Sequence, residues 1–156
     1  MLEPGQIWKE AALRVSKCVC FFVYWGDRMN KYMDIAIKEA EKAYKKGEVP
    51  VGAIIVKDGK VIAKAHNTKE TKRCAVNHAE ILCIIKASKK LKTWHLDNCE
   101  MYVTLEPCMM CTGSIILSRI HAIYYGTNDP KGGCVNTLID INQIKKINHQ
   151  KVVMKV

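Results

Sequence analysis

The chain has 156 residues, 49% of them hydrophobic, and a formal net charge of +10. This length predicts a single domain with a core of its own, and the composition excludes a disordered or low-complexity chain. Of the eight cysteines, two have metal-ligand spacing and six lack the spacing of a disulfide framework, so we expect a reducing, cytoplasmic setting.

The positive charge lies almost entirely after residue 28. Residues 1–28 hold four Lys/Arg and three Asp/Glu, whereas residues 29–156 hold 21 and 12, a net charge of +9. Such a surplus suits an anionic partner such as a nucleic acid. A lysine-rich but otherwise ordinary surface would give the same count, and charge alone does not separate the two.

The first 28 residues differ from the rest in composition, since they hold both phenylalanines and two of the three tryptophans. The apolar run from Cys18 to Trp25 is too short to cross a bilayer, and no small-residue cleavage site of a signal peptide follows it. We therefore expect no membrane partner. Residues 1–28 are interpreted as a dispensable extension or as the result of a start placed ahead of Met29, and both interpretations stay open.

Helix and strand patterns alternate from Met29 onward, which predicts a layered α/β domain over residues 29–156. The Asp58-Gly59 pair between two apolar runs is a strong hairpin signal, and Pro107 suits the first turn of a helix. The predicted elements are a helix over 29–44 ended by Gly47, strands over 51–56 and 61–65, a helix over 79–91, a strand over 101–105, a helix from 107 to about 118, and strands over 120–125 and 152–156.

The group with the clearest chemical meaning is His78, Cys108 and Cys111, with Glu80 beside it. One imidazole and two thiolates fill three of the four tetrahedral positions of zinc, which leaves the fourth for water and predicts a catalytic site. Both pairs fall where predicted helices begin, so all four side chains can lean toward one metal ion. The same signature is typical of zinc-dependent nucleobase deaminases.

The predicted chemistry follows from this arrangement. A zinc ion lowers the pKa of bound water to about 7, and Glu80 is free to carry the proton to a substrate nitrogen, a form of help worth about 10²–10⁴ in rate. A structural zinc is the competing interpretation. It would need a fourth protein ligand from Cys74, Cys83 or Cys134 and would leave Glu80 without a role.

The sequence closely resembles the bacterial tRNA-specific adenosine deaminases from about residue 33 to residue 153. The zinc motif alone fits any enzyme of the cytidine deaminase fold. The sequence blocks at 47–53 and 118–120 favour the tRNA branch. The blocks are Gly-Glu-Val-Pro-Val-Gly-Ala at 47–53, His-Ala-Glu at 78–80, Thr-Leu-Glu-Pro-Cys-Met-Met-Cys at 104–111, Ser-Arg-Ile at 118–120 after Gly113, Asp-Pro-Lys-Gly-Gly at 129–133 and Asn-His at 148–149.

The resemblance implies a three-layer αβα fold with a mixed central sheet, a homodimer, and hydrolysis of the wobble adenosine of a tRNA anticodon loop to inosine. It implies one zinc ion per chain, held by His78, Cys108 and Cys111, with Glu80 as the proton shuttle. Asn67 would hydrogen-bond the flipped base, the backbone of Ala79 would lie near the zinc-bound water, and Asp129 and Lys131 would lie near the anticodon backbone.

The residues themselves leave the substrate contacts open. An amide such as Asn67 can present a donor and an acceptor to adenine, but it can equally form a turn, as can Asp129, and Lys131 can be a solvated charge.

Two departures from the family pattern bear on function. Val76-Asn77 stands where the family usually has Thr-Ala, although Asn77 suits a helix N-cap. The C-terminal helix that is usual in the family is lacking, which would weaken the hold on RNA.

Two alternatives to the interpretation as a tRNA-specific adenosine deaminase therefore remain. One is a deaminase of free bases or nucleosides, and the other is a truncated, inactive zinc-binding domain.

Overall fold

A computed structural model describes residues 27–144 and 153–155. The predictions for residues 1–26 and for the Asn-His pair at 148–149 lie outside the described residues. The described elements are α1 (Asp27–Lys45), β1 (Gly52–Lys57), β2 (Lys60–His66), α2 (Ala79–Leu91), β3 (Cys99–Val103), α3 (Met109–Leu117), β4 (Ala122–Tyr125), a 3₁₀ turn (Ile141–Gln143) and β5 (Val153–Lys155).

The five strands form one mixed sheet in the order β2-β1-β3-β4-β5. β1 pairs antiparallel with β2 and β3, and β3, β4 and β5 run parallel to one another. The β1–β2 turn is the predicted hairpin, since Asp58 and Gly59 both have positive φ (48° and 73°), as the twist of a tight hairpin requires.

Alternation along the strands divides the core between the two faces of the sheet. On one face, Ile54, Val56 and Tyr102 pack against Tyr32 and Ala36 of α1. The other face packs under α2 and α3, and its buried residues include Ala53, Ile55, Met101, Val103, Ile123 and Tyr125 from the strands with Ala79, Cys83 and Ile115 from the helices. The predicted three-layer αβα architecture is confirmed.

Gly52 lets α1 lie directly on the sheet. A Cβ atom at this position would overlap the carbonyl oxygen of Ala36 and the amide nitrogen of Ala40. The backbone of α1 therefore approaches β1 more closely than any side chain at position 52 would permit.

α2 begins at Ala79, as predicted, whereas α3 begins at Met109, two residues later than predicted. Asn77 is not the cap of α2, because His78 occupies the N-cap with extended backbone angles and no side-chain cap hydrogen bond. Pro107 lies outside the first turn of α3, because Cys108 is the N-cap (φ −73°, ψ 173°). In both helices a ring or thiol that faces inward has replaced the usual capping side chain.

Across the described part of the chain, no helix combines the length and the apolar character needed to cross a membrane.

Candidate active site

The first turns of α2 and α3 bring the predicted metal ligands together. His78 and Cys108 are the N-cap residues, and Cys111 lies one turn into α3. Their ligand atoms all lie within 4.8 Å of one another. Ala79 is the first residue of α2 and is fully buried, and its N–H belongs to the helix-terminal groups that have no intrahelical partner.

The spacing of these atoms fits a tetrahedral metal. His78 Nδ1 is 3.7 Å from the Sγ of Cys108 and 3.6 Å from the Sγ of Cys111. Zinc bonds of about 2.0 Å to nitrogen and about 2.3 Å to sulfur, meeting at a tetrahedral angle, would hold N and S about 3.6 Å apart. The donor set and these two distances therefore fit a tetrahedral zinc site.

Hydrogen bonds among the three ligand residues shift their pKa values in different directions. A hydrogen bond from Cys111, with a further one from His78, lowers the pKa of Cys108 to about 4. The same Cys108–Cys111 contact, with burial, raises the pKa of the Cys111 thiol. A hydrogen bond to Cys108 raises the pKa of His78, whereas burial and, to a smaller extent, the charge of Lys69 oppose that rise.

Glu80 lies beside this group in the second position of α2 and is only 4% exposed. Burial is the main cause that raises its pKa to about 7, and the negative charge of Cys108 adds to the rise. Its carboxylate also hydrogen-bonds to Cys111. A carboxyl group with this pKa both accepts and releases protons near neutral pH, as a general acid–base requires.

No fourth protein ligand joins the group among the described residues. Cys83 is buried elsewhere, with its thiol directed at the carbonyl oxygen of Ala53 at 3.5 Å. Cys74 and Cys134 are free thiols outside the group. The fourth ligand that a structural zinc would need is therefore not supplied by any of the three candidate cysteines.

Asn67 directly follows β2 and begins the loop that leads to His78. The two are linked through the loop between them, since the Thr68 N–H donates to the Asn77 carbonyl oxygen at 3.1 Å. Asn67 is 5% exposed, and its Oδ1 atom is buried without a hydrogen-bond partner. A buried amide oxygen left unpaired is costly unless a ligand supplies the donor.

Asp129 and Lys131 lie in the loop after β4. The Lys131 N–H donates to Asp129 Oδ1 at 2.9 Å, so one oxygen of this carboxylate is used in a turn. Lys131 itself is exposed. The loop also reaches the metal-ligand group, because the Cys134 N–H donates to the Pro107 carbonyl oxygen at 2.9 Å and Gly133 forms a bridge with Cys108.

Sequence reasoning missed two buried glutamates that hold the loops around the site. Glu48 accepts the N–H groups of Glu70 and Thr71 and the Thr71 hydroxyl. Glu106 accepts the Thr137 hydroxyl and four N–H groups, those of Asp129, Val135, Asn136 and Thr137. Neither role leaves a local signal in the sequence, because every donor is more than 20 residues away.

The sequence likewise indicates no role for His66. Its Nδ1 lies 3.0 Å from Glu39 Oε2 and its Nε2 lies 3.0 Å from Lys46 Nζ. It therefore ties the end of β2, immediately before Asn67, to α1.

The mixed sheet with helices on both faces, a His-Cys-Cys group at two helix N-termini and an adjacent buried glutamate together define a deaminase of the cytidine deaminase-like fold. The MafB19-like deaminase family matches residues 28–156. The tRNA-specific adenosine deaminase of Bacillus subtilis (strain 168) is 51% identical over 123 residues, which cover 79% of this chain and 76% of that protein. The enzyme of the same name from Aquifex aeolicus is 45% identical over 76% of this chain and 79% of its own.

Solved structures agree with these sequence comparisons. A tRNA:A34 deaminase, studied for A-to-I editing at the wobble position of transfer RNA, superposes with a TM-score of 0.75 at 38% identity and covers 80% of this chain and 97% of that one. Guanine deaminase from Bacillus subtilis gives a TM-score of 0.63 at 31% identity, covering 81% and 82%. The chain belongs to the family of tRNA-specific adenosine deaminases, as the sequence blocks predicted.

Proposed function

We propose that this protein converts adenosine to inosine at the wobble position of a tRNA anticodon loop. The observation that carries the proposal is the unpaired, buried Oδ1 of Asn67, in the loop that leads to the metal-ligand residue His78. The 51% identity to a tRNA-specific adenosine deaminase supports the choice of substrate. We further propose that residues 29–156 form the deaminase domain and that it works in the cytoplasm.

In this proposal His78, Cys108 and Cys111 hold one zinc ion per chain. When bound there, zinc would supply Lewis acidity and activate water for attack on a carbon atom. Cys108 and Cys111 would bind the zinc ion as thiolates, so zinc binding would release the proton of the Cys111 thiol. The N-terminal ends of α2 and α3 favour the negative charge of the thiolates.

Glu80 moves the protons of the reaction. Its carboxylate takes one proton from the attacking water and delivers it to a ring nitrogen of adenine. It then takes the second proton from the hydroxyl group now on the attacked carbon and passes it to the departing amine, so that water and adenosine become inosine and ammonia. Burial beside Cys111 keeps this carboxyl group away from bulk solvent.

Asn67, Ala79, Asp129 and Lys131 position the substrate in the same proposal. The base must leave its stack to reach the buried site. The Asn67 amide then offers both a donor and an acceptor to the base edge, and the Ala79 N–H points outward from the open end of α2. Asp129 and Lys131 lie near the anticodon backbone.

A homodimer is proposed from the apolar side chains that α2 and α3 leave in solvent. Ile85 is 44% exposed, and Met109 and Leu117 are each 65% exposed. A second copy of the chain would cover such residues.

The test is inosine formation in an anticodon stem-loop RNA with a wobble adenosine, using the full chain loaded with zinc. Free adenine and guanine serve as parallel substrates, because a guanine deaminase shares the fold at 31% identity. Inosine in the RNA alone is the expected result. Deamination of a free base without RNA product would overturn the substrate assignment, and no product from any substrate would favour a zinc-binding domain without activity.

A further inference from the structure

The loop between β2 and α2 carries an exposed positive charge beside the site. We propose that Lys69, Lys72 and Arg73 form a phosphate-binding rim that grips the backbone of the substrate RNA next to the flipped adenosine. This inference rests on the proposed function for the identity of the RNA, and it rests on the loop itself for the position of the charges.

Residues 68–74 of this loop form a turn that backbone hydrogen bonds close. The Lys72 N–H donates to the Thr68 carbonyl oxygen at 3.0 Å and the Cys74 N–H donates to the Lys69 carbonyl oxygen at 3.0 Å. The turn ends at Arg73, whose φ is +50°. Lys69, Lys72 and Arg73 all lie within this one short turn.

The buried carboxylate of Glu48 holds this turn in place through hydrogen bonds. Its carboxylate, 4% exposed, accepts the N–H groups of Glu70 and Thr71 at 3.0 and 2.7 Å and the Thr71 hydroxyl. Three donors on one buried carboxylate leave the turn little freedom. The cationic side chains are therefore presented from a preorganised backbone, which reduces the entropy lost on binding.

The loop lies directly between two residues of the site. It runs from Asn67 to His78, and the Thr68 N–H is hydrogen-bonded to the Asn77 carbonyl oxygen. A nucleotide whose base reaches Asn67 must bring its own phosphates past this loop.

Most of the positive charge on the loop is not neutralised by the protein. Lys69 is 3.8 Å from Glu70, and both side chains are largely exposed. Within residues 27–144 no carboxylate lies at ion-pair distance from Lys72 or Arg73, and both are exposed. Lys45 and Lys46, two and three residues before Glu48 in the sequence, are exposed as well.

The test compares two triple variants of the full chain that remove equal charge. The rim variant is K69A/K72A/R73A. The control is K60A/K89A/K90A, which changes exposed lysines at the opposite ends of β2 and α2. Binding of the anticodon stem-loop RNA is measured at several salt concentrations, and steady-state deamination is measured at saturating and limiting RNA.

For the rim variant we expect the slope of log K against log salt to fall by about 2, since each contact to single-stranded RNA contributes about 0.7. The Kd at 0.1 M salt should rise on the order of 10²-fold by the same rule. KM should rise with it, whereas kcat should change little, because the rim does not touch the reacting atoms. The control variant should keep both the slope and the Kd of the wild type.

Equal losses in the two variants, or no loss in the rim variant, would overturn the inference. RNA that binds with the expected slope change while the wild type forms no inosine would contradict the proposed function and leave the rim standing. Unfolding midpoints of both variants should match that of the wild type, because the substituted side chains are exposed.

Discussion

Glu80 and Glu106 are both buried carboxylates close to the metal-ligand group, but their surroundings are opposite. Glu80 is 4% exposed, and burial raises its pKa to about 7. Glu106 is 2% exposed, and burial by itself would raise its pKa in the same way. The Thr137 hydroxyl and the N–H groups of Asn136, Thr137 and Asp129 outweigh that effect and hold the pKa below 4.5.

The difference shows why one buried acid holds a loop in place and the other exchanges its proton. Five hydrogen-bond donors fix Glu106 as an anion that ties residues 129–137 to the strand end before Cys108. Glu80 has few donors, so its proton is available near neutral pH. The two residues should therefore separate catalysis from stability when each is replaced.

The largest effect is expected for Glu80→Gln. Activity on the anticodon stem-loop should fall by about 10²–10⁴-fold, because the amide cannot carry a proton. The free energy of unfolding should stay within about 1 kcal/mol of the wild type, and zinc content should be unchanged. Rates, urea unfolding and metal analysis of the same preparation check this. Retained activity would remove Glu80 from the proposed mechanism.

Glu106→Ala should lower the free energy of unfolding, whereas Glu80→Gln should leave it nearly unchanged. Several N–H groups, including that of buried Val135, would lose their acceptor, at a cost of about 3 kcal/mol. Urea unfolding measures this cost directly. Gly133→Ala provides an independent test, because its Cβ would overlap the Glu106 carboxylate. If both variants keep the wild-type midpoint, Glu106 does not hold the loop.

Glu48→Ala should cost less, about 1–2 kcal/mol, because this carboxylate has three donors rather than five. It also supports the phosphate-binding rim, so the Kd for RNA should rise together with the loss of stability. Glu48→Gln keeps one oxygen as an acceptor and should recover part of both. A stability loss with unchanged RNA affinity would mean that the turn need not be preorganised for binding.

The smallest effect is the pH dependence of stability that Glu106 and Glu48 contribute. Both have a lower pKa in the folded protein than their ordinary value of 4.5, so the unfolded chain binds more protons in acid. Their contribution is complete above about pH 4.5 and is lost as the pH falls through the folded pKa values. Urea unfolding at pH 7 and pH 4 should therefore show a smaller acid loss in Glu106→Gln than in the wild type.

Local patterns predicted most of the fold. Helical spacing up to Tyr44, the Asp58-Gly59 turn and the parallel strands near 101–105 and 120–125 all correspond to observed elements, because each depends on neighbours in sequence. The cap of α2 is His78 rather than Asn77, and α3 starts two residues after Pro107, because inward-facing ligands occupy the cap positions. Cap chemistry alone cannot anticipate that competition.

The site was predicted where its residues are close in sequence or share a motif. His78, Cys108 and Cys111 are brought together as the spacing indicated. The roles of Glu48, Glu106 and His66 depend on partners that only the tertiary fold supplies. An acid in a loop is ordinarily solvated, so nothing in the local sequence distinguishes these glutamates from surface charges.

The place of β5 in the sheet has a consequence for how the protein is made. β5 comes from residues 153–155 and pairs with β4 at the edge of the sheet, after a long connection. During synthesis β4 emerges from the ribosome well before its partner, and its free edge is then exposed to other chains. Deleting residues 153–155 should therefore lower the yield of protein from cells through aggregation of the nascent chain, rather than by any change in the chemistry of the site.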